Sequence, residues 1–67
     1  MIQKYRYQYT VCVMDEDGND IEVETFWSGR KAFRSACLMR SNSFYDDCWI
    51  RVYFMDMITW HETFVYV

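Results

Sequence analysis

From Ile2 to Met14 the chain alternates, with Tyr5, Tyr7, Tyr9, Val11 and Val13 on one parity and Lys4, Arg6, Gln8, Thr10 and Cys12 on the other. A period of two over this length predicts a strand with one buried face. Ile21, Val23, Thr25 and Trp27 alternate with Glu22, Glu24 and Phe26 and predict a second strand. The run Asp15-Glu16-Asp17-Gly18-Asn19-Asp20 joins them, with Gly18 free to take a positive φ. Parity selects the loop. A two-residue Asp17-Gly18 turn sets Val13 opposite Glu22, whereas a three-residue Glu16-Asp17-Gly18 loop pairs Val13 with Ile21 and Val11 with Val23. The longer loop is expected, because a one-residue slip turns every apolar side chain to the wrong face.

Ser28 is a good N-cap, and Gly29 to about Arg40 reads as a helix of roughly three turns. Ala32, Phe33, Ala36, Cys37 and Met39 fall on one arc, and Arg30, Lys31, Arg34 and Ser41 on the other; the polar run Ser41-Asn42-Ser43 ends the helix. Cys48, Ile50, Val52 and Phe54 form the core parity of a third strand, with Trp49, Arg51, Tyr53 and Met55 opposite. A turn near Asp56 to Thr59 leads into a fourth strand, Trp60 to Val67. There His61, Thr63, Val65 and Val67 have the inward parity and Trp60, Glu62, Phe64 and Tyr66 the outward one. Residues 1–67 therefore predict a single α+β domain of ββαββ order. Its four-stranded antiparallel sheet, in order 2-1-3-4, carries one helix packed on one face.

A chain of 67 residues buries only about 60% of the surface of its unfolded form, so such folds lean on large side chains, disulfides, metals or oligomerisation. Aromatic residues make up 21% of this chain and are expected to supply buried area. Three widely spaced cysteines, Cys12, Cys37 and Cys48, are an odd set, read as reduced core thiols. With one histidine and no CxxC pair, no metal site and no cofactor are expected. Neither a signal-peptide core nor an apolar run of membrane-spanning length stands out, and the cytoplasm is the expected compartment. The net charge of −3 argues against affinity won by neutralising nucleic-acid phosphates.

One constellation stands out. On the outward face of the second hairpin, Trp49, Tyr53, Met55, Trp60, Phe64 and Tyr66 should gather around Arg51 and Glu62 with no internal partner. A large apolar patch rich in Trp, Tyr, Met and Arg marks an interaction surface, a homodimer contact included; its bland counterpart is cross-strand packing that merely stiffens the sheet. A second, acidic cluster, Asp15, Glu16, Asp17, Asp20, Glu22 and Glu24, is expected on the first hairpin and its outward face. It either steers the chain toward a basic partner or simply guards an edge strand. Arg30, Lys31 and Arg34 open the helix against its macrodipole, as an anion site or as members of exposed ion pairs. No catalytic residues are assigned: His61 has inward parity, no nucleophile motif lies near it, and Asp46, Asp47 and Asp56 have no paired geometry in sequence, so the chain is not expected to be an enzyme.

A small, acidic, aromatic-rich α+β chain without motifs resembles, at the level of a class, phage-encoded inhibitors of bacterial defence such as anti-CRISPR proteins. The resemblance implies a phage or mobile-element protein that blocks a defence protein, such as a CRISPR nuclease complex, by steric occlusion or nucleic-acid mimicry. It carries no residue assignments. Two other readings stand beside it. In one, Trp49, Tyr53, Trp60 and Phe64 form a stacking platform for single-stranded nucleic acid, with Lys4, Arg6 and Arg51 on the backbone. In the other the chain is a homodimeric structural protein.

Overall fold

The computed structural model describes residues 6–67. The expectations that fall on Ile2, Lys4 and Tyr5 lie outside the described residues. The elements are β1 (Tyr7–Met14), β2 (Asp20–Phe26), α1 (Gly29–Arg40), a short 3-10 turn (Ser43–Tyr45), β3 (Trp49–Asp56) and β4 (Glu62–Tyr66). The four strands form one antiparallel sheet in the order β2-β1-β3-β4, and α1 packs on one face of it. No helix among the described residues is long and apolar enough to cross a membrane.

The helix begins where the sequence places it. The Ser28 hydroxyl accepts the Lys31 amide, which supplies one of the N-terminal amides with a partner, and Ser41 closes the other end by donating its amide to the Cys37 carbonyl. Ala32 and Ala36 are fully buried, and their small side chains let α1 lie close to Val11 and Val13 of β1 and Ile50 and Val52 of β3. These six side chains are the hydrophobic centre, and none is aromatic. The buried area expected of the aromatic rings therefore comes from the margin of the core and not from its centre. Tyr9, Phe26 and Tyr45 only flank the centre, while Trp27, Trp49, Trp60, Phe44, Phe64 and Tyr66 are exposed. The thiols divide as well: Cys12 is buried, Cys48 half-buried and Cys37 exposed on the helix, so Cys37 is no core thiol.

The first hairpin keeps its expected loop and loses its expected register. Asp15 and Asn19 close a three-residue Glu16-Asp17-Gly18 loop, with the Asp15 amide donating to the Asn19 carbonyl and Gly18 at φ 85°. Met14 then stands opposite Asp20, but the register shifts at once, and Val13 faces Glu22, Val11 faces Glu24 and Cys12 faces Val23. The predicted pairs Val13–Ile21 and Val11–Val23 do not form, because a bulge leaves Ile21 without a counterpart. The shift puts Phe26 opposite Tyr9 and against the core, in place of Trp27. It also moves Glu22 and Glu24 onto the helix-bearing side, where the Glu22 carboxylate accepts the Tyr45 hydroxyl at 2.6 Å. That bond holds the Tyr45 hydroxyl above its ordinary pKa.

The second hairpin closes later than expected. The turn runs through Met57, Ile58, Thr59 and Trp60, and the Asp56 amide donates to the His61 carbonyl. One carboxylate oxygen of Asp56 accepts the amides of Ile58 and Thr59, and the other accepts the Arg6 guanidinium at 2.9 and 3.2 Å. The Arg6 hydrogen bond, then the Ile58 amide, hold the Asp56 carboxyl down at about 2, and the same pair raises Arg6. No glycine serves this turn, and Trp60 itself takes the left-handed conformation at φ 62°. Trp60 and His61 consequently stand outside β4, and His61 is exposed, contrary to its inward parity.

Candidate functional site: the open face of the sheet

Strand parity and register assemble the face opposite α1. Cys12, Arg51 and Tyr66 form one cross-strand row; Thr10, Tyr53 and Phe64 form the next; Gln8, Met55 and Glu62 form the third, and Met14 pairs with Trp49 at the far end. From β2, Asp20, Val23 and Thr25 extend the rows. Seven residues expected here, Trp49, Arg51, Tyr53, Met55, Glu62, Phe64 and Tyr66, do share this face. Trp60 does not join them: it lies in the turn, 68% exposed, and makes no ring contact with the others among the described residues.

The rings form a connected line. Trp49 meets Tyr66 edge-on with centroids 5.8 Å apart, Tyr66 meets Phe64 edge-on at 5.5 Å, and Phe64 lies 5.2 Å from Tyr53 at 42°. Such edge-to-face and tilted pairs are favourable arrangements of aromatic quadrupoles, and they hold the rings in place. Trp49, Phe64 and Tyr66 remain 58%, 44% and 59% exposed. Among the described residues no helix covers them, since α1 packs on the other side.

Arg51 lies at the middle of this line. Its guanidinium carbon sits 5.2 Å from the Tyr53 centroid and 5.7 Å from that of Phe64, within cation–π range of both. One guanidinium nitrogen donates to the Met14 sulfur at 3.5 Å, and Nε is buried with no hydrogen-bond partner among the described residues. Cys12, its neighbour in the row, is 9% exposed, and burial pushes its thiol above the ordinary value, with nearby Asp20 adding to the effect. Thr10, Cys12, Asp20, Arg51, Tyr53 and Glu62 line a shallow depression of about 330 Å³. Asp20 was expected on the outward face as part of the acidic cluster, and it lies there; the contributions of Met14 and Cys12 were the part that sequence reasoning missed. Their parity was visible, but the β1–β3 register that sets Cys12 beside Arg51 was not.

The acidic residues do not make one surface. Asp20 lies on the open face, Glu22 and Glu24 on the helix-bearing face, and Asp15 is occupied within its loop, where one carboxylate oxygen accepts the amides of Asp17 and Asn19. The expected placement of Glu22 and Glu24 on the outward face is thus corrected by the Ile21 bulge. Glu16 and Asp17 are exposed at the loop tip. Arg30, Lys31 and Arg34 form no ion pair among the described residues; Lys31 and Arg34 line a groove of about 460 Å³ with Glu24, Leu38 and Tyr45.

No family model, curated protein or solved structure matches this chain.

Proposed function

We propose that the chain is a non-enzymatic protein-binding module whose contact surface is the open sheet face. The observation that carries this reading is the line Trp49–Tyr66–Phe64–Tyr53, already packed ring to ring around Arg51 and still exposed. Trp, Tyr and Arg dominate the binding energy of protein interfaces, and side chains fixed before binding lose little rotamer freedom when the partner arrives. The class-level resemblance supplies the partner proposed: a nuclease complex of bacterial defence, met in the cytoplasm and blocked by occlusion. Occlusion suits the chain better than nucleic-acid mimicry, since its carboxylates are divided between two faces and one loop.

Trp49→Ala combined with Tyr66→Ala removes the exposed end of the line without touching the core. The double variant should keep the wild-type circular dichroism spectrum and lose at least tenfold in capture of the wild-type partner, as loss of interface anchors does. Undiminished capture by the folded variant refutes the assignment of this face. Binding of a fluorescent single-stranded oligonucleotide at low salt, abolished by the same pair, assigns the rings to base stacking instead.

A further inference from the structure

We infer that β4 is a self-pairing edge: two copies of the chain join β4 to β4, antiparallel about a two-fold axis at Phe64, and build one continuous sheet. This does not rest on the proposed partner. The Val67 amide donates to the Ile50 carbonyl and the Asp56 amide to the His61 carbonyl, both at 2.9 Å. Alternation along an antiparallel ladder then turns the amides and carbonyls of Thr63 and Val65 toward β3, and those of Glu62, Phe64 and Tyr66 outward. The outward set is symmetric about Phe64.

The two edges of the sheet are treated differently. Exposed edges are usually blunted by charges, prolines or bulges. β2 has all but proline: the bulge at Ile21 and the carboxylates of Asp20, Glu22 and Glu24. β4, Glu-Thr-Phe-Val-Tyr, has a regular register and one charge at its first residue. Its side chains are exposed along its whole length, and α1 packs chiefly against β1, β3 and β2, which leaves the outer side of β4 open to a neighbouring strand among the described residues.

The two-fold register also satisfies the charges. With Phe64 opposite Phe64 of the second copy, Glu62 faces Tyr66 rather than the other Glu62. The two carboxylates stand about 14 Å apart along the strand, beyond the screening length of about 8 Å at physiological salt. Arg51 is the next residue in the Tyr66 row, so each Glu62 approaches the second copy's cation. On the helix-bearing side Val65 meets Thr63, beside an apolar groove of about 390 Å³ lined by Tyr7, Tyr9, Phe33, Phe54 and Val65. The central row becomes Tyr53–Phe64–Phe64–Tyr53, so the open aromatic faces of both copies merge into one. Pairing through β2 instead brings Glu22 and Glu24 edges together in two chains that each carry a net charge of −3.

A joint of this size belongs with interfaces below about 1,200 Å², which exchange with free monomer, so protein concentration is the variable. Amide hydrogen exchange of the wild-type chain should show Glu62, Phe64 and Tyr66 gaining protection as concentration rises, while the measured mass approaches twice that of the monomer. Phe64→Lys and Phe64→Glu should each remain monomeric, and their equimolar mixture should recover the doubled mass through opposite charges at the axis. Trp49→Ala should leave self-association intact. Outward β4 amides that stay unprotected at millimolar concentration, a mixture that stays monomeric although both variants are folded, or a dimer dissolved by Trp49→Ala overturns the inference.

Discussion

Asp56 is the residue on which the second hairpin turns. Its side chain takes the place of the missing glycine by holding the Ile58 and Thr59 amides, and Arg6 keeps it ionised. A carboxyl whose folded pKa lies below its ordinary value stabilises the fold above that ordinary value and ceases to do so as the pH falls through the folded one. Stability should therefore drop as pH falls from 3.8 toward about 2. Asp56→Asn, which keeps an oxygen for the amides and loses the ion pair, should melt lower at neutral pH and show a flatter acid limb. An unchanged limb in thermal melts across this range removes Asp56 from that role. Trp60, at φ 62°, bears a left-handed conformation that costs a non-glycine residue about 1–2 kcal/mol. Glycine avoids that cost but loses about 0.5–1 kcal/mol of backbone entropy, so Trp60→Gly should leave stability unchanged or raise it by up to about 1.5 kcal/mol in urea unfolding. A clear loss means that the indole holds something. Among the thiols, exposed Cys37 should react with a disulfide reagent promptly at neutral pH, and Cys12, buried and shifted upward, only as the chain opens. Equal rates contradict the burial of Cys12 beneath the open face.

At the scale of elements, the bulge in β2 decides which face each carboxylate joins. Deleting Ile21 should leave the Glu16-Asp17-Gly18 loop and the Val13–Glu22 pairing intact, since the deletion removes only the residue without a counterpart. Nuclear Overhauser contacts between Val13 and Glu22 should persist; contacts of Val13 with Val23 instead mean that the bulge does not set the register. The strand periods, the Ser28 cap, the helix and the loop were all legible, because each depends on residues near one another in sequence. The bulge was not. Parity in isolation favours Ile21 and Val23 inside, but tertiary packing favours Phe26 over the core and Glu22 beside Tyr45. A competition between distant contacts leaves no mark on local alternation. The same holds for Trp60, whose parity matched β4 while the Asp56 turn kept it out of the strand.

For the whole molecule, the division of labour between aliphatic and aromatic side chains is the main result. Fold stability rests on Val11, Val13, Ala32, Ala36, Ile50 and Val52, while the outer rings contribute surface. A core in a chain this short rarely supplies more than about 3–5 kcal/mol, and truncating a buried isoleucine to alanine costs about 2–5 kcal/mol. Ile50→Ala should therefore be largely unfolded at 25 °C by circular dichroism, whereas Trp49→Ala, which loses its edge contact with Tyr66 and only the minor, buried part of its surface, should stay folded. The composition of the open face was legible in the parity of β3 and β4, but its extent across Cys12 and Met14 depends on the β1–β3 register and the Met14–Asp20 pairing on the bulged β1–β2 register, which no local pattern encodes. The most direct test of an uncovered face is acrylamide quenching of Trp49 in a chain whose Trp27 and Trp60 are replaced by phenylalanine. An emission maximum near that of indole in water, with ready quenching, is expected of the free chain at dilute concentration. A blue-shifted emission indifferent to acrylamide contradicts it and withdraws the open face as a recognition surface.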